Sequence, residues 1–190
     1  MILIPCGQSC LQGISIRAKG EHAMNVLDEL TLKMIDFYAG DAERIQHFMK
    51  VHRFGELIAK MEGLSEDEIF LIETATIVHD IGIRIAEEKY GSCEGSLQEK
   101  EGPVYAEKML AELNYDPEII ARVSYLVGHH HTYTNIDGMD YQILVEADFL
   151  VNLFEEGFRI NGVDKQQVKN VYERIFKTEA GKKICRTMFK

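Results

Sequence analysis

The chain has no tryptophan and only three prolines in 190 residues. So few prolines leave few obligatory helix breaks, and the abundance of Leu, Ile, Glu, Lys, Met and Ala leans the composition towards helix. Cysteine is equally sparse. Cys6, Cys10, Cys93 and Cys185 are scattered without CxxC spacing, which indicates neither a zinc knuckle nor a disulfide framework and makes a reducing cytoplasm the expected location. No apolar run reaches the roughly 18 residues of a membrane span, and the N-terminus lacks a charged region followed by a continuous apolar stretch. Basic residues are outnumbered, 21 against 31 acidic, for a net charge of −10. That balance argues against a nucleic-acid polymer as partner. It leaves room for a small phosphorylated substrate, because a bound metal can supply local positive charge.

What is present is organised around Glu73-Thr-Ala-Thr-Ile-Val-His79-Asp80-Ile-Gly82. Read as a helix, it puts Ile72 and Ala75 beneath His79, and Thr76 and Ile77 beneath Asp80. Both polar side chains therefore emerge from a buried surface, where an ionised aspartate needs a partner or a cation. A divalent metal is one solution, taking an imidazole nitrogen and a carboxylate oxygen from neighbouring positions. A helix end closed by His79, with a turn before Gly82, is the plainer one.

The rest of the chain changes that balance. A first helix follows Asn25 and ends near Gly40, and Asp41 caps a second over about 42–61. Its stripe of His47, Val51, Phe54 and Ile58 faces His47 inward, while His52 falls on another face. Ser65 and Glu68 form a capping box that opens the third helix, which ends at His79-Asp80. The connection is short, so the two helices pair antiparallel and His47 approaches His79. A short helical piece runs through Glu87 and Lys89. Tyr90 to Ser96 reads as a loop long enough to cover a site, and Pro103 as the first turn of the next helix.

Asp116-Pro117 opens another helix with Ile119, Val123, Leu126 and Val127 on one stripe, which turns His130 of the run His129-His130-His131 inward and leaves His129 as second choice. The seven histidines of the chain make a run of three at the end of an apolar helix notable. After a loop closed by Asp137-Gly138, Tyr141 to Phe154 forms an apolar helix with Asp148 on the face of Leu144, Val145, Val151 and Asn152. A carboxylate in that setting requires a partner. Val168, Val171, Ile175 and Phe176 suggest a last helix. A homodimer is compatible with this pattern, since the apolar ends of the first and last helices can pack on the core or on a second copy.

His47, His79-Asp80 and Asp148 thus project inward from different helices, with His130 as a further candidate. This is the ligand set that a divalent ion in a helical bundle requires. The order H…HD…D over about residues 40–155 resembles the HD-domain metal-dependent phosphohydrolase superfamily. The resemblance implies an all-α, HD-domain-like helical bundle, with His47, His79, Asp80 and Asp148 ligating manganese, magnesium, zinc, iron, nickel or cobalt. Members with two metals carry extra histidines between the HD pair and the last aspartate. His130 or a neighbour matches one of these, but Lys100 to Pro103 holds no histidine, and Glu101 is the one substitute there.

The implied reaction is hydrolysis of a phosphomonoester or phosphodiester, a nucleotide among the candidate substrates, by metal-activated water. Asp80 and His130 are the expected catalytic groups beside the metal. Arg84 or Lys89, and Lys50 or Arg53, are candidates to meet phosphate oxygens, although each also reads as solvated surface charge. The competing readings are an inactive HD-type protein that senses a nucleotide or metal, a di-iron oxygenase on the same fold, and a helical interaction domain whose His and Asp merely pair.

In domain terms, residues 1–24, interrupted by Gly7, Gly13 and Gly20, read as an irregular N-terminal extension, and 25–190 as the helical domain. Met24 offers an alternative start. Intact-mass analysis of the protein from its native source is then expected to give a chain beginning at Met24, and a mass that includes Met1 rejects this.

Overall fold

The computed structural model describes residues 24–159 and 164–190. The irregular extension expected at the N-terminus lies, up to residue 23, outside the described residues. The architecture is all-α, with nine helices and no strand among the described residues. No helix among them is long and apolar enough to cross a membrane.

The helices begin where capping chemistry starts them. Asn25 caps α1 (Val26–Phe37) by accepting from the Asp28 amide, and Asp41 caps α2 (Ala42–Met61) by accepting from the Arg44 amide. At α3 (Glu66–Val78) both halves of the Ser65/Glu68 capping box are present. α2 and α3 run antiparallel. The ring centroids of His47 and His79 are 5.4 Å apart, His52 Nε2 lies 3.1 Å from Glu73 Oε1, and a Cβ on Gly55 would come within 2.8 Å of Thr76 Cγ2. The absence of that atom is what lets the two helices approach.

Several expectations are corrected. The short helical piece expected through Glu87 and Lys89 starts sooner: the chain turns at His79, Asp80 and Ile81, and Gly82 itself opens α4 (Gly82–Tyr90). It is needed for packing, since a Cβ there would lie 2.5 Å from the Gln98 carbonyl oxygen. The loop after α4 is also shorter than expected. Gly91, at φ +67°, closes α4, and α5 (Gly95–Glu112) begins eight residues before Pro103, which sits inside the helix. The Leu97 and Gln98 amides both donate to the Glu94 carbonyl, and the Gln98 side chain donates to the Cys93 carbonyl at 2.7 Å, which starts the helix early. Gly95 and Gly102 of α5 pack against His131 and Val127, where a Cβ would come within 2.7 Å. Finally, the single last helix is two, α8 (Lys165–Ile175) and α9 (Glu179–Met188), the latter capped by Thr178.

Asp116 caps α6 (Pro117–Val127) as expected. α7 (Met139–Arg159) is the central element: the run from Tyr141 to Ala147 is buried throughout, as are Leu150 and Val151. On the face away from Asp148, Glu146 is fully buried and ties the C-terminal helices down. It accepts from the Lys177 amide at 2.6 Å, the Thr178 amide at 2.9 Å, the Thr178 hydroxyl at 2.5 Å and the Gln142 side chain at 2.7 Å. Leu30 and Met34 of α1 and Cys185 of α9 lie in the chain's own core. Removing the Glu146 carboxylate strands several buried donors, so Glu146→Ala is expected to lower unfolding free energy by roughly 3 kcal/mol in urea denaturation. A change below about 0.5 kcal/mol, the scale of an ordinary surface substitution, would show that this anchor carries no weight.

Candidate metal centre

Four elements deliver the centre. α2 brings His47 from its first turns, the break between α3 and α4 brings His79 and Asp80, the turn after α6 brings His130 and His131, and the middle of α7 brings Asp148. His47 Nε2 lies 3.3 Å from Asp80 Oδ2 and 3.1 Å from Asp148 Oδ1. His79 Nε2 lies 3.3 Å from Asp80 Oδ2 and 3.6 Å from Asp148 Oδ1. His130 Nε2 lies 3.3 Å from the other oxygen of Asp80.

The second nitrogen of each ring fixes how the first is presented. Nδ1 of His79 donates to the Thr76 carbonyl and Nδ1 of His130 to the Val127 carbonyl, both at 2.8 Å. A carbonyl can only accept, so in the neutral ring the proton is on Nδ1 and the Nε2 lone pair faces Asp80. His47 Nδ1 is held by Glu155 at 2.9 Å, a carboxylate–histidine arrangement of the kind that supports metal ligands. His79 and His130 are 0% and 2% exposed, and the Nε2 of each is buried without a hydrogen-bond partner. Orphaned ring nitrogens converging on carboxylates are a donor set that fits a divalent cation. His47, His79 and Asp80 each offer an atom within 4.8 Å of the others, and Asp80, His130 and His131 form a second such group.

The electrostatics agree with that geometry. Burial lowers the pKa of His47, but its bonds to Asp148 and Glu155 carry it up to about 9. His79 is likewise raised well above the ordinary histidine value, its burial outweighed by the adjacent Asp80 and by Asp148. Against their own burial, the surrounding imidazoles hold Asp80 and Asp148 below the usual carboxylate range. His131 goes the other way. Burial, with His130 beside it, lowers its pKa to about 4.

The structure brings His47, His79, Asp80, Asp148 and His130 together. It does not bring the other candidates. Arg84 donates to the Phe37 carbonyl and, at 3.0 Å, to Glu88. Lys89 pairs with Glu101, which also accepts from the Tyr90 hydroxyl. Arg53 pairs with Glu56. None of these lines the cavity at the centre. Lys50 is held by Glu155 at 2.6 Å. The expected second-choice histidine, His129, donates to the Tyr125 carbonyl and stacks on that ring, whereas His131 lines the cavity. Residues 128–131 form a turn, to which helical periodicity does not apply.

Several cavity residues carry no role in the sequence reading: Arg44, Cys93, Gln98 and Glu155. Glu155 had a signal, since it stands two helical turns along from Asp148. The others are placed by contacts between helices. Tyr38 also supports the centre, its hydroxyl donating to the Asp80 carbonyl at 2.6 Å.

A family model described as HD domain matches residues 44–176. The fold is similar to the crystal structure of a predicted HD superfamily hydrolase from an uncultured Thermotogales bacterium. The TM-score is 0.55 at 22% identity, over 85% of this chain and 82% of that one. No curated protein sequence matches the chain.

Elemental mass spectrometry of protein purified without chelator is expected to find a bound divalent metal that His79→Ala loses and Arg84→Ala retains. Equal metal in wild type and His79→Ala would place the ion elsewhere.

Proposed function

The chain belongs to the HD-domain family, and on that premise we propose that it is a metal-dependent phosphohydrolase, cleaving a small phosphorylated substrate at the His47, His79, Asp80 and Asp148 centre. The observation that carries this reading is the pair of buried imidazole nitrogens, on His79 and His130, that face Asp80 without hydrogen-bond partners.

Nε2 of His47 and His79 and the carboxylates of Asp80 and Asp148 would hold manganese, magnesium, zinc, iron, nickel or cobalt. When bound, such a cation lowers the pKa of water towards about 7 and polarises a phosphoryl oxygen. Asp80 then orients the attacking water by accepting one of its protons in a hydrogen bond. Arg44, on the cavity wall, is the guanidinium placed to meet phosphate oxygens, in the role the sequence suggested for Arg84 or Lys89. Glu155 keeps the His47 ring in register from behind. In the reaction the water oxygen bonds to phosphorus and the bond from phosphorus to the ester oxygen breaks. The bonding electrons stay on the leaving oxygen, which takes a proton, and orthophosphate and an alcohol are released.

The group formed by Asp80, His130 and His131 favours a second reading in which these residues would hold a further cation. Its histidines answer to the extra position that the resemblance implied at His130 or a neighbour. The metal-to-chain ratio separates the two: about one for the single centre, about two for the double one. Two irons would reopen the oxygenase reading.

Asp148→Ala is expected to lose metal and to lower phosphate release from any substrate the wild type turns over by about two orders of magnitude or more. Unchanged metal content and unchanged turnover would rule this site out. Stable metal binding with no turnover of any phosphoester would favour the sensor instead.

A further inference from the structure

Three imidazoles of the centre are each held from the far side of the ring: His47 by Glu155, His79 by the Thr76 carbonyl and His130 by the Val127 carbonyl. The carboxylate of Asp148 is held differently. Asp148 is 4% exposed, so bonds from the protein rather than solvent must orient it. Among the described residues its contacts end on one oxygen, Oδ1: the Asn152 carboxamide nitrogen at 2.8 Å, His47 Nε2 at 3.1 Å and His79 Nε2 at 3.6 Å. The first is the shortest, and it comes from a neutral group that always carries hydrogen.

Asn152 stands four residues after Asp148 on α7, where the two side chains share a face. It is half-buried and lines the cavity beside Asp148. The histidine contacts and the amide contact respond differently to a cation. An imidazole nitrogen that gives its lone pair to a metal has no hydrogen left to donate. Once His47 and His79 act as ligands, they no longer donate to Asp148. Of the three contacts, the Asn152 hydrogen bond alone persists to fix the carboxylate.

Resting on the metal-dependent reading above, we infer that Asn152 is the positioning residue for Asp148, setting the affinity of the centre for its cation through a hydrogen bond rather than by ligation. The bond orients the carboxylate before a cation arrives and keeps it oriented afterwards. Its weight therefore falls on the metal-loaded state. In metal-free protein, His47 and His79 hold the same oxygen, so loss of the carboxamide is largely covered there.

The test titrates the chelator-stripped full chain with cobalt(II) and follows visible absorption, which reads affinity and ligand geometry together. Asn152→Leu, close in size but without a donor, is expected to bind cobalt about tenfold or more weaker than wild type and with a shifted absorption band. Asn152→Gln keeps a carboxamide that can reach a carboxylate one helical turn back, and it is expected to stay within about threefold of wild type. The metal-free melting midpoint of Asn152→Leu is expected to lie within about 2 °C of wild type. An Asn152→Leu protein with wild-type affinity and spectrum, an Asn152→Gln protein as weak as Asn152→Leu, or a metal-free midpoint lowered well beyond that range would overturn the positioning role and leave the centre standing. Cobalt binding at full strength in Asp148→Ala would instead defeat the centre itself.

Discussion

Everything in this molecule depends on bringing the Asp80 carboxylate into contact with three imidazoles inside a helical core. The three histidine Nε2 atoms lie 3.3 Å from its oxygens, His47 and His79 on one and His130 on the other. Such a cluster is unfavourable in a dry interior unless its charges balance. Without a metal, proton sharing balances them, which is why the pKa values of His47 and His79 are driven up and that of Asp80 down. A cation would replace those protons, so binding and proton release are linked at this centre.

The scaffold reflects the same demand for close approach. Gly55 lets α3 come against α2, Gly82 sits on the backbone of Gln98, and Gly95 accommodates the ring of His131. Each contact sets the spacing between helices that carry ligands or cavity residues. α7 carries carboxylates on two opposed faces. Asp148 turns to the centre, and Glu146 gathers the amides and hydroxyl at Lys177 and Thr178. The C-terminal helices are thus fastened to the helix that supplies a proposed metal ligand, and the stability of one region supports the geometry of the other.

Charge gives the cavity its character. The acidic excess of the chain extends into it, with five carboxylates and one guanidinium among its lining groups. The cations near its mouth are committed to carboxylates: Arg44 to Asp41 and Glu87, Lys50 to Glu155. The carboxylates of Asp41 and Glu155 are thereby matched by cations, while those of Asp80 and Asp148 meet the imidazoles of the centre.

The sequence by itself determined the all-α class, most helix starts and the inward direction of four site residues, His47, His79, Asp80 and Asp148. These rest on local rules: Asp41, Ser65 and Asp116 cap in place, and periodicity turned His47 and Asp148 to the core side. Where a side chain's direction is set outside a regular helix, or its role by a partner far along the chain, those rules gave no answer. His131 lies in a turn, Gln98 and Cys93 are positioned by a helix that starts early, and Gly82 is required by the backbone of a neighbouring element. Arg84 and Lys89 stand close to the HD pair in sequence, yet they are drawn to Phe37, Glu88 and Glu101 on the outside. Tertiary structure alone decided those positions, because a helix break sets a new axis and adjacency in the chain then no longer fixes direction in space.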